Sequence, residues 1–265
     1  MATDLFAVGT VLPAPTCARV LRDLPYLSNE RGVLCLDAYR PPDRGTRSPA
    51  VVLVNGDADE ATISRAKDWA VFRSYGEHLA SRGLVGISFA HHSSEQGRQT
   101  ASVAREISAA ISYVRERASD FDVNPDCLGI WAFSGAGPFA LAPLLRERPG
   151  WVRAVAGFYT VWDVAPFRDL PQPPPMTEGD QWSVTNALGQ SSEGLPPIFV
   201  ARAGRDGPRI KAGTDLFIAR ALALDVDLEV HNHPTGQHGF DIRDDDAYSR
   251  GIIGAALDYF VRRLA

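Results

Sequence analysis

Leu128–Leu141, LGIWAFSGAGPFAL, decides how the rest of the chain is read. An apolar β-like run, Leu128 to Phe133, turns abruptly through Ser134-Gly135-Ala136-Gly137 into a helical pattern with Pro138 at a first-turn position. A serine at the apex of such a strand–turn–helix unit is lifted above the sheet edge, and nearby backbone N–H groups point at the oxygen of whatever it attacks. The residues two before and two after must be small, because strand and helix nearly touch there. Ala132 and Ala136 fill those places, each one methyl larger than the glycine this motif usually carries.

Two other readings fit the same letters. Gly135-Ala-Gly137-Pro-Phe-Ala140 matches the dinucleotide fingerprint G-x-G-x-x-G/A after a strand. That reading needs an acid about 20 residues on. Phe158, Tyr159 and Thr160 occupy the place, the first acid is Asp163, and the fingerprint would fall on a late strand instead of the first. A glycine-rich turn without chemistry is the third reading.

Working outward, Arg19–Leu27 and Gly32–Arg40 read as a hairpin joined by Ser28-Asn29-Glu30-Arg31. Pro41–Pro49 is a polar turn, and Ala50–Asn55 is a continuous apolar run of the buried-strand type. A helix over about 68–82 stops at Gly83, and Leu84–Phe89 is the next strand. The loop His91-His92-Ser93-Ser94 precedes a long helix, about 97–119, with Val103, Ile107, Ile111 and Val114 on one face. Strands follow at Cys127–Phe133, Trp151–Tyr159, Ile198–Ala203 and Val226–His231, with helices at about 134–146, 213–224 and 244–264.

Between Thr160 and Pro197 the patterning fails. Pro171, Pro173, Pro174, Pro175, Pro196 and Pro197 interrupt it, with Trp162, Phe167 and Trp182 scattered between, and so long an insertion suggests a lid or rim. Strands alternating with helices mean one α/β domain, 1–265, built on a mostly parallel sheet with helices on both faces.

Bulk properties narrow the function. At 265 residues and 45% hydrophobic content the chain can bury a large core, and a net charge of -5 with no basic cluster argues against nucleic acid. Cys17, Cys35 and Cys127 are too few and scattered for a disulfide framework or a metal motif, so a cytoplasmic setting is expected. The opening MATDLFAVGTVLPAP lacks a basic n-region and a long apolar core, so no signal peptide is expected. No run approaches the roughly 18 apolar residues of a membrane span.

Reactive groups of an open parallel sheet collect at the carboxyl ends of its strands. Just past four such ends lie Asn55-Gly56-Asp57, Ser134, Gly204-Arg205-Asp206 and Thr235-Gly236-Gln237-His238-Gly239-Phe240. Serine, acid and histidine therefore come in the order that serine hydrolases of the α/β type use. In that reading His238 takes the Ser134 proton as general base, and Asp206 holds the other ring nitrogen. The N–H groups of Gly135 and Asp57 are the oxyanion donors, with the Asp57 carboxylate turned away to avoid repulsion.

Plainer roles stand beside these. Asp206 before Gly207-Pro208 could open a helix, Asp163 and Asp180 are alternative acids, and His238 could be a turn residue. His231, His233 and His238 raise a zinc site, but they lack i, i+4 pairing and a matching Glu. His91-His92 reads as a solvated loop pair, and Tyr159 and Trp162 as pocket wall or core.

With these residues in place, the sequence resembles the α/β-hydrolase superfamily, and within it the dienelactone-hydrolase-like serine esterases. The likeness is carried by the elbow, by Leu36-Asp-Ala-Tyr-Arg-Pro41 and Lys67-Asp-Trp-Ala-Val-Phe-Arg-Ser74, and by Ser81-Arg-Gly-Leu-Val-Gly-Ile-Ser88 and Gly236-Gln-His-Gly-Phe240. It implies the α/β-hydrolase fold, an eight-stranded sheet with its second strand antiparallel, and hydrolysis of esters or lactones with no cofactor. This chain departs from the pattern at Ala132 and Ala136, at Asn55-Gly56-Asp57 in place of a His-Gly-Gly loop, and at Ser134 where dienelactone hydrolases proper carry cysteine.

The resulting expectation is a carboxylesterase acting through an acyl-enzyme on a small ester, thioester or lactone. Its acyl group would rest against Phe133, Phe158, Tyr159 and Trp182. No nucleic acid, membrane or metal partner is expected, and a homodimer is left open. The alternative is a hydrolase-fold protein that binds a small ligand without turning it over; a nicotinamide enzyme would leave Asp206 and His238 idle.

Overall fold

The computed structural model describes residues 4–42 and 46–265, so part of the Pro41–Pro49 turn lies outside the described residues. Eight strands run β1 (Arg19–Asn29), β2 (Gly32–Arg40), β3 (Ser48–Val54), β4 (Val85–Phe89), β5 (Val123–Phe133), β6 (Val152–Phe158), β7 (Ile198–Ala203) and β8 (Leu228–His233). The helices are α1 (Glu60–Ile63), α2 (Ala70–Ser81), α3 (Thr100–Glu116), α4 (Ala142–Glu147), α5 (Val184–Ala187), α6 (Pro208–Ala223), α7 (Phe240–Arg243) and α8 (Ala247–Leu264).

All eight strands form one sheet, ordered β1-β2-β4-β3-β5-β6-β7-β8. β2 is antiparallel to both β1 and β4, and every other pairing is parallel. The resemblance implied this topology. β3 and β6 read as near-continuous apolar runs because both of their faces are covered. One layer packs Val103, Ile107 and Val114 of α3, Leu145 of α4 and Phe217 of α6 against the sheet. The other packs Phe72, Tyr75 and Leu79 of α2 and Ile253, Leu257 and Phe260 of α8.

Several boundaries moved, each for a local reason. α3 starts at Thr100 because Glu95, Gln96 and Gly97 all have positive φ, which no α-helix accommodates. α6 starts at Pro208, a proline at its first turn, and not at Gly213. Gly213 is an interior helical residue placed there by packing: a Cβ on it would sit 2.9 Å from the Asp163 carbonyl oxygen. β8 starts at Leu228, because Val226 still belongs to the turn that closes α6, donating its N–H to Ala221 O at 3.0 Å.

The segment 160–197 is built from short turns and the single-turn α5, and it supplies core. Trp162, Val184, Ala187 and Leu188 are buried in the layer of α3, α4 and α6, and Trp162 stacks on Phe217 at 4.1 Å between ring centroids. Prolines break its helical pattern without making it peripheral.

A tight approach lies beside the elbow. A Cβ on Gly137 would fall 2.1 Å from the Val161 carbonyl oxygen, which is backbone and cannot swing aside. Gly137→Ala is therefore expected to cost about 2–3 kcal/mol in urea unfolding. Gly150→Ala, where a Cβ meets nothing within 4 Å, should stay within about 0.5 kcal/mol of the parent. Equal values for the two would show that the elbow helix shifts freely.

Candidate active site

β5 ends at Phe133 and the chain bends at Ser134, whose φ of 51° is rare for a non-glycine residue. The bend is clamped on both sides: Ser134 N–H donates to Phe158 O at 3.2 Å, and Val161 N–H donates to Ser134 O at 2.8 Å. Two neighbours hold this strained backbone, which is how such a conformation persists. Ala132 and Ala136 are both fully buried, and the close approach that demands glycine is at Gly137.

The turns after β7 and β8 are tied together, since Gly204 N–H donates to His233 O and Arg205 N–H to Gly236 O, each at 2.8 Å. That pairing brings Asp206 and His238 side by side. His238 Nδ1 lies 2.8 Å from Asp206 Oδ2, and His238 Nε2 lies 2.8 Å from Ser134 Oγ. The other Asp206 oxygen accepts the Gly207 N–H at 2.6 Å, and its carboxylate is nearly buried. Because a carboxylate accepts and does not donate, the Nδ1 nitrogen carries the proton and Nε2 is free to accept from the serine hydroxyl.

The Asn55-Gly56-Asp57 loop presses on this turn. A Cβ on Gly56 would come 2.8 Å from Ser134 Cβ, and one on Gly135 would come 3.3 Å from Asp57 N. Neither the Gly135 nor the Asp57 amide donates to another group among the described residues. The Asp57 carboxylate accepts from the amide and hydroxyl of Ser94.

The cleft above Ser134 and His238 holds about 230 Å³ and is walled by Leu5, Trp69, Phe72, Phe133, Tyr159 and Ile242. Of the aromatics expected at the acyl group, Phe133 and Tyr159 are there. Phe158 is fully buried in the core, and Trp182 lines a separate groove between α3 and α4. No residue of 160–197 borders the cleft, and Leu5 and α2 with its lead-in take the place expected of a lid. The reason is in the packing, since Trp162, Val184, Ala187 and Leu188 of that segment are taken into the core and Trp182 faces the other groove.

Other candidates fall elsewhere. Asp163 Oδ1 accepts the Ala165 N–H at 2.8 Å, and Asp180 pairs with Arg168 at 2.7 Å, so neither serves His238. His231 stacks on Phe199, and His233 Nε2 meets Ser249 Oγ at 3.0 Å, so the three histidines point to different partners. His91 and His92 are buried, not solvated, and His92 bonds to the buried Glu106 at 2.9 Å.

One group escaped sequence reading. Asp241, fully buried, accepts from Tyr75 Oη and Tyr159 Oη, each at 2.7 Å, and the Tyr159 ring lies 4.7 Å from that of His238. It follows His238-Gly239-Phe240 and looks like a helix-opening acid; its partners are 166 and 82 residues away. Burial raises its carboxyl above the ordinary carboxylate range, against the pull of the two phenols. Burial, together with the facing Asp241 charge, pushes both phenols well above theirs.

A carboxyl that holds its proton more tightly when folded contributes most stability in acid, and that contribution is lost as pH rises from about 4 through the folded value. Asp241→Asn is therefore expected to gain stability relative to the parent as urea melts move from pH 4 to pH 7. A difference that stays constant with pH would show an ordinary proton affinity at Asp241.

Residues 36–193 match the BD-FAE family. No curated protein matches the chain. Among solved structures, a truncated form of a carbohydrate esterase from gut microbiota superposes with a TM-score of 0.71 at 20% identity, over 95% of this chain and 99% of that one. The apo form of Thermogutta terrifontis esterase 2 does so at 0.72 and 19% identity, over 96% and 98%. The same esterase phosphorylated by paraoxon gives 0.69 at 18%, over 95% of each chain. Among the described residues no helix is long and apolar enough to cross a membrane. A strained serine elbow on an α/β-hydrolase sheet and a family match over more than half the chain lead to one conclusion: this protein belongs to the BD-FAE family of esterase-type α/β-hydrolases and is a serine hydrolase of carboxylic esters.

Proposed function

We propose that Ser134, His238 and Asp206 are the catalytic triad of an esterase that hydrolyses small esters, thioesters or lactones through an acyl-enzyme. The unbroken hydrogen-bond chain from Asp206 through His238 to Ser134, with both links at 2.8 Å, carries the reading. Ser134 Oγ attacks the carbonyl carbon as its proton passes to His238 Nε2, and the carbonyl oxygen gains charge between the amides of Gly135 and Asp57. The intermediate collapses when the leaving oxygen or sulfur takes the proton from Nε2. Water then repeats the sequence on the acyl-enzyme, giving its proton to Nε2 and releasing the acid and Ser134.

A cleft of about 230 Å³ is below the range of drug-sized sites, which favours a short acyl group. p-Nitrophenyl acetate and butyrate are expected to exceed the decanoate about tenfold or more in kcat/KM, and a profile rising with chain length would contradict the pocket reading. Thermogutta terrifontis esterase 2 has been phosphorylated by paraoxon, which suggests an organophosphorus probe. A fluorophosphonate should label this chain at Ser134 alone; a folded protein left unlabelled would overturn the triad. The free Cys17, Cys35 and Cys127 fit a reducing compartment such as the cytoplasm.

A further inference from the structure

The loop after β4 braces the oxyanion loop residue by residue. His91 Nε2 accepts from Asn55 Nδ2 at 3.0 Å, its tautomer set by Nδ1–H donating to His92 O at 2.7 Å. Ser93 Oγ donates to Ala58 O at 2.7 Å. The Ser94 amide donates to Asp57 Oδ1 at 2.9 Å, and the Ser94 hydroxyl donates to Asp57 Oδ2. The brace is itself anchored to α3, since His92 N–H donates to Glu106 Oε2 at 3.0 Å and Nδ1 meets Oε1 at 2.9 Å.

Ser94 is almost fully buried, and its Oγ already accepts the Gly97 N–H at 2.9 Å, so its own proton is committed to Asp57. Asp57 is an awkward residue at that position. Its amide faces the Gly135 turn, yet among the described residues Asp57 is the one acidic residue that lines the cleft, which Arg243 also borders. A carboxylate swinging freely about its own amide would come within a few ångströms of the developing oxyanion. Like charges about 5 Å apart, in a dielectric about midway between the protein-surface value and bulk water, slow a reaction by about tenfold.

We infer that Ser94 is a positioning residue that turns the Asp57 carboxylate out of the oxyanion site and thereby keeps the Asp57 amide usable as a donor. The inference rests on the oxyanion role proposed for that amide. It explains how this chain manages an acid where the related loop pattern carries glycine. Repulsion acts only on charge that appears in the transition state, so the effect belongs in kcat and not in KM.

The test is a double-mutant cycle on the full chain with p-nitrophenyl acetate. Ser94→Ala is expected to lower kcat about tenfold with KM within about twofold of the parent. In the D57N background the same substitution should change kcat by less than about twofold, because the amide oxygen there still accepts from the loop but carries no charge. An equal loss in both backgrounds would mean bracing without charge, and no loss in either would mean no role; each overturns the inference. Should S94A fail to fold, Asp57→Glu keeps the charge while its longer side chain overshoots Ser94, so its kcat should fall about tenfold below that of D57N. Equal rates for those two would overturn the inference as well. Failure of the parent to take a fluorophosphonate at Ser134 is a separate outcome: it removes the triad reading and this inference with it.

Discussion

Ser134→Ala is expected to lower kcat for p-nitrophenyl acetate by about 10⁵–10⁶ and to abolish fluorophosphonate labelling. The lower figure allows for a substrate with a good leaving group, and the upper is the loss measured for the nucleophile of subtilisin, another serine hydrolase. Alanine is the informative choice because of the backbone. At φ 51° serine and alanine suffer similar strain, so the elbow keeps its conformation and only the oxygen disappears. Unfolding free energy should accordingly stay within about 1 kcal/mol of the parent. With Gly135, Asp57 and the cleft intact, the residual rate reports polarisation and positioning by the remaining parts. Retention of more than a few per cent of the parent rate would mean that another group attacks the ester.

Asp206→Asn is expected to lower kcat by about 10⁴ with a much smaller change in KM, as the equivalent change does in the serine-protease template. Asparagine is nearly isosteric, so geometry survives and the chemistry does not. Its amide can donate to Nδ1, which favours the tautomer with the proton on Nε2, and Nε2 can then no longer accept from Ser134. The acid also loses the charge that stabilises the imidazolium. Asp206 is nearly buried, with its second oxygen held by the Gly207 amide, so no water molecule can readily take over the role. Asp180→Asn, on an exposed acid paired with Arg168, should leave kcat unchanged. Comparable losses for the two variants would reopen the identity of the acid.

That Ser134, Asp206 and His238, the proposed triad, lie side by side was legible because chain order and strand ends place them together in any parallel sheet of this topology. Asp57 was legible for the same reason, lying just past β3. What misled was the proline- and tryptophan-rich segment. Prolines mark broken helix, but they do not say whether the aromatics between them face a cleft or a core. Trp162 went to Phe217, and Trp182 went to the groove between α3 and α4. His91 and His92 misled in the opposite direction, since two histidines and two serines in a row look solvated unless the buried Glu106 facing them is known.

By itself the sequence determined the α/β layering, the elbow and the three residues proposed to react, because each follows from local periodicity, turn chemistry and order along the chain. Tertiary structure alone decided which walls the cleft has, that Asp241 is shared by Tyr75 and Tyr159, and that Ser94 holds Asp57. Those contacts join residues 37 to 166 positions apart and serve groups taken out of water. A buried polar group must find a partner wherever the fold brings one, and no repeat or spacing in the chain records where that is.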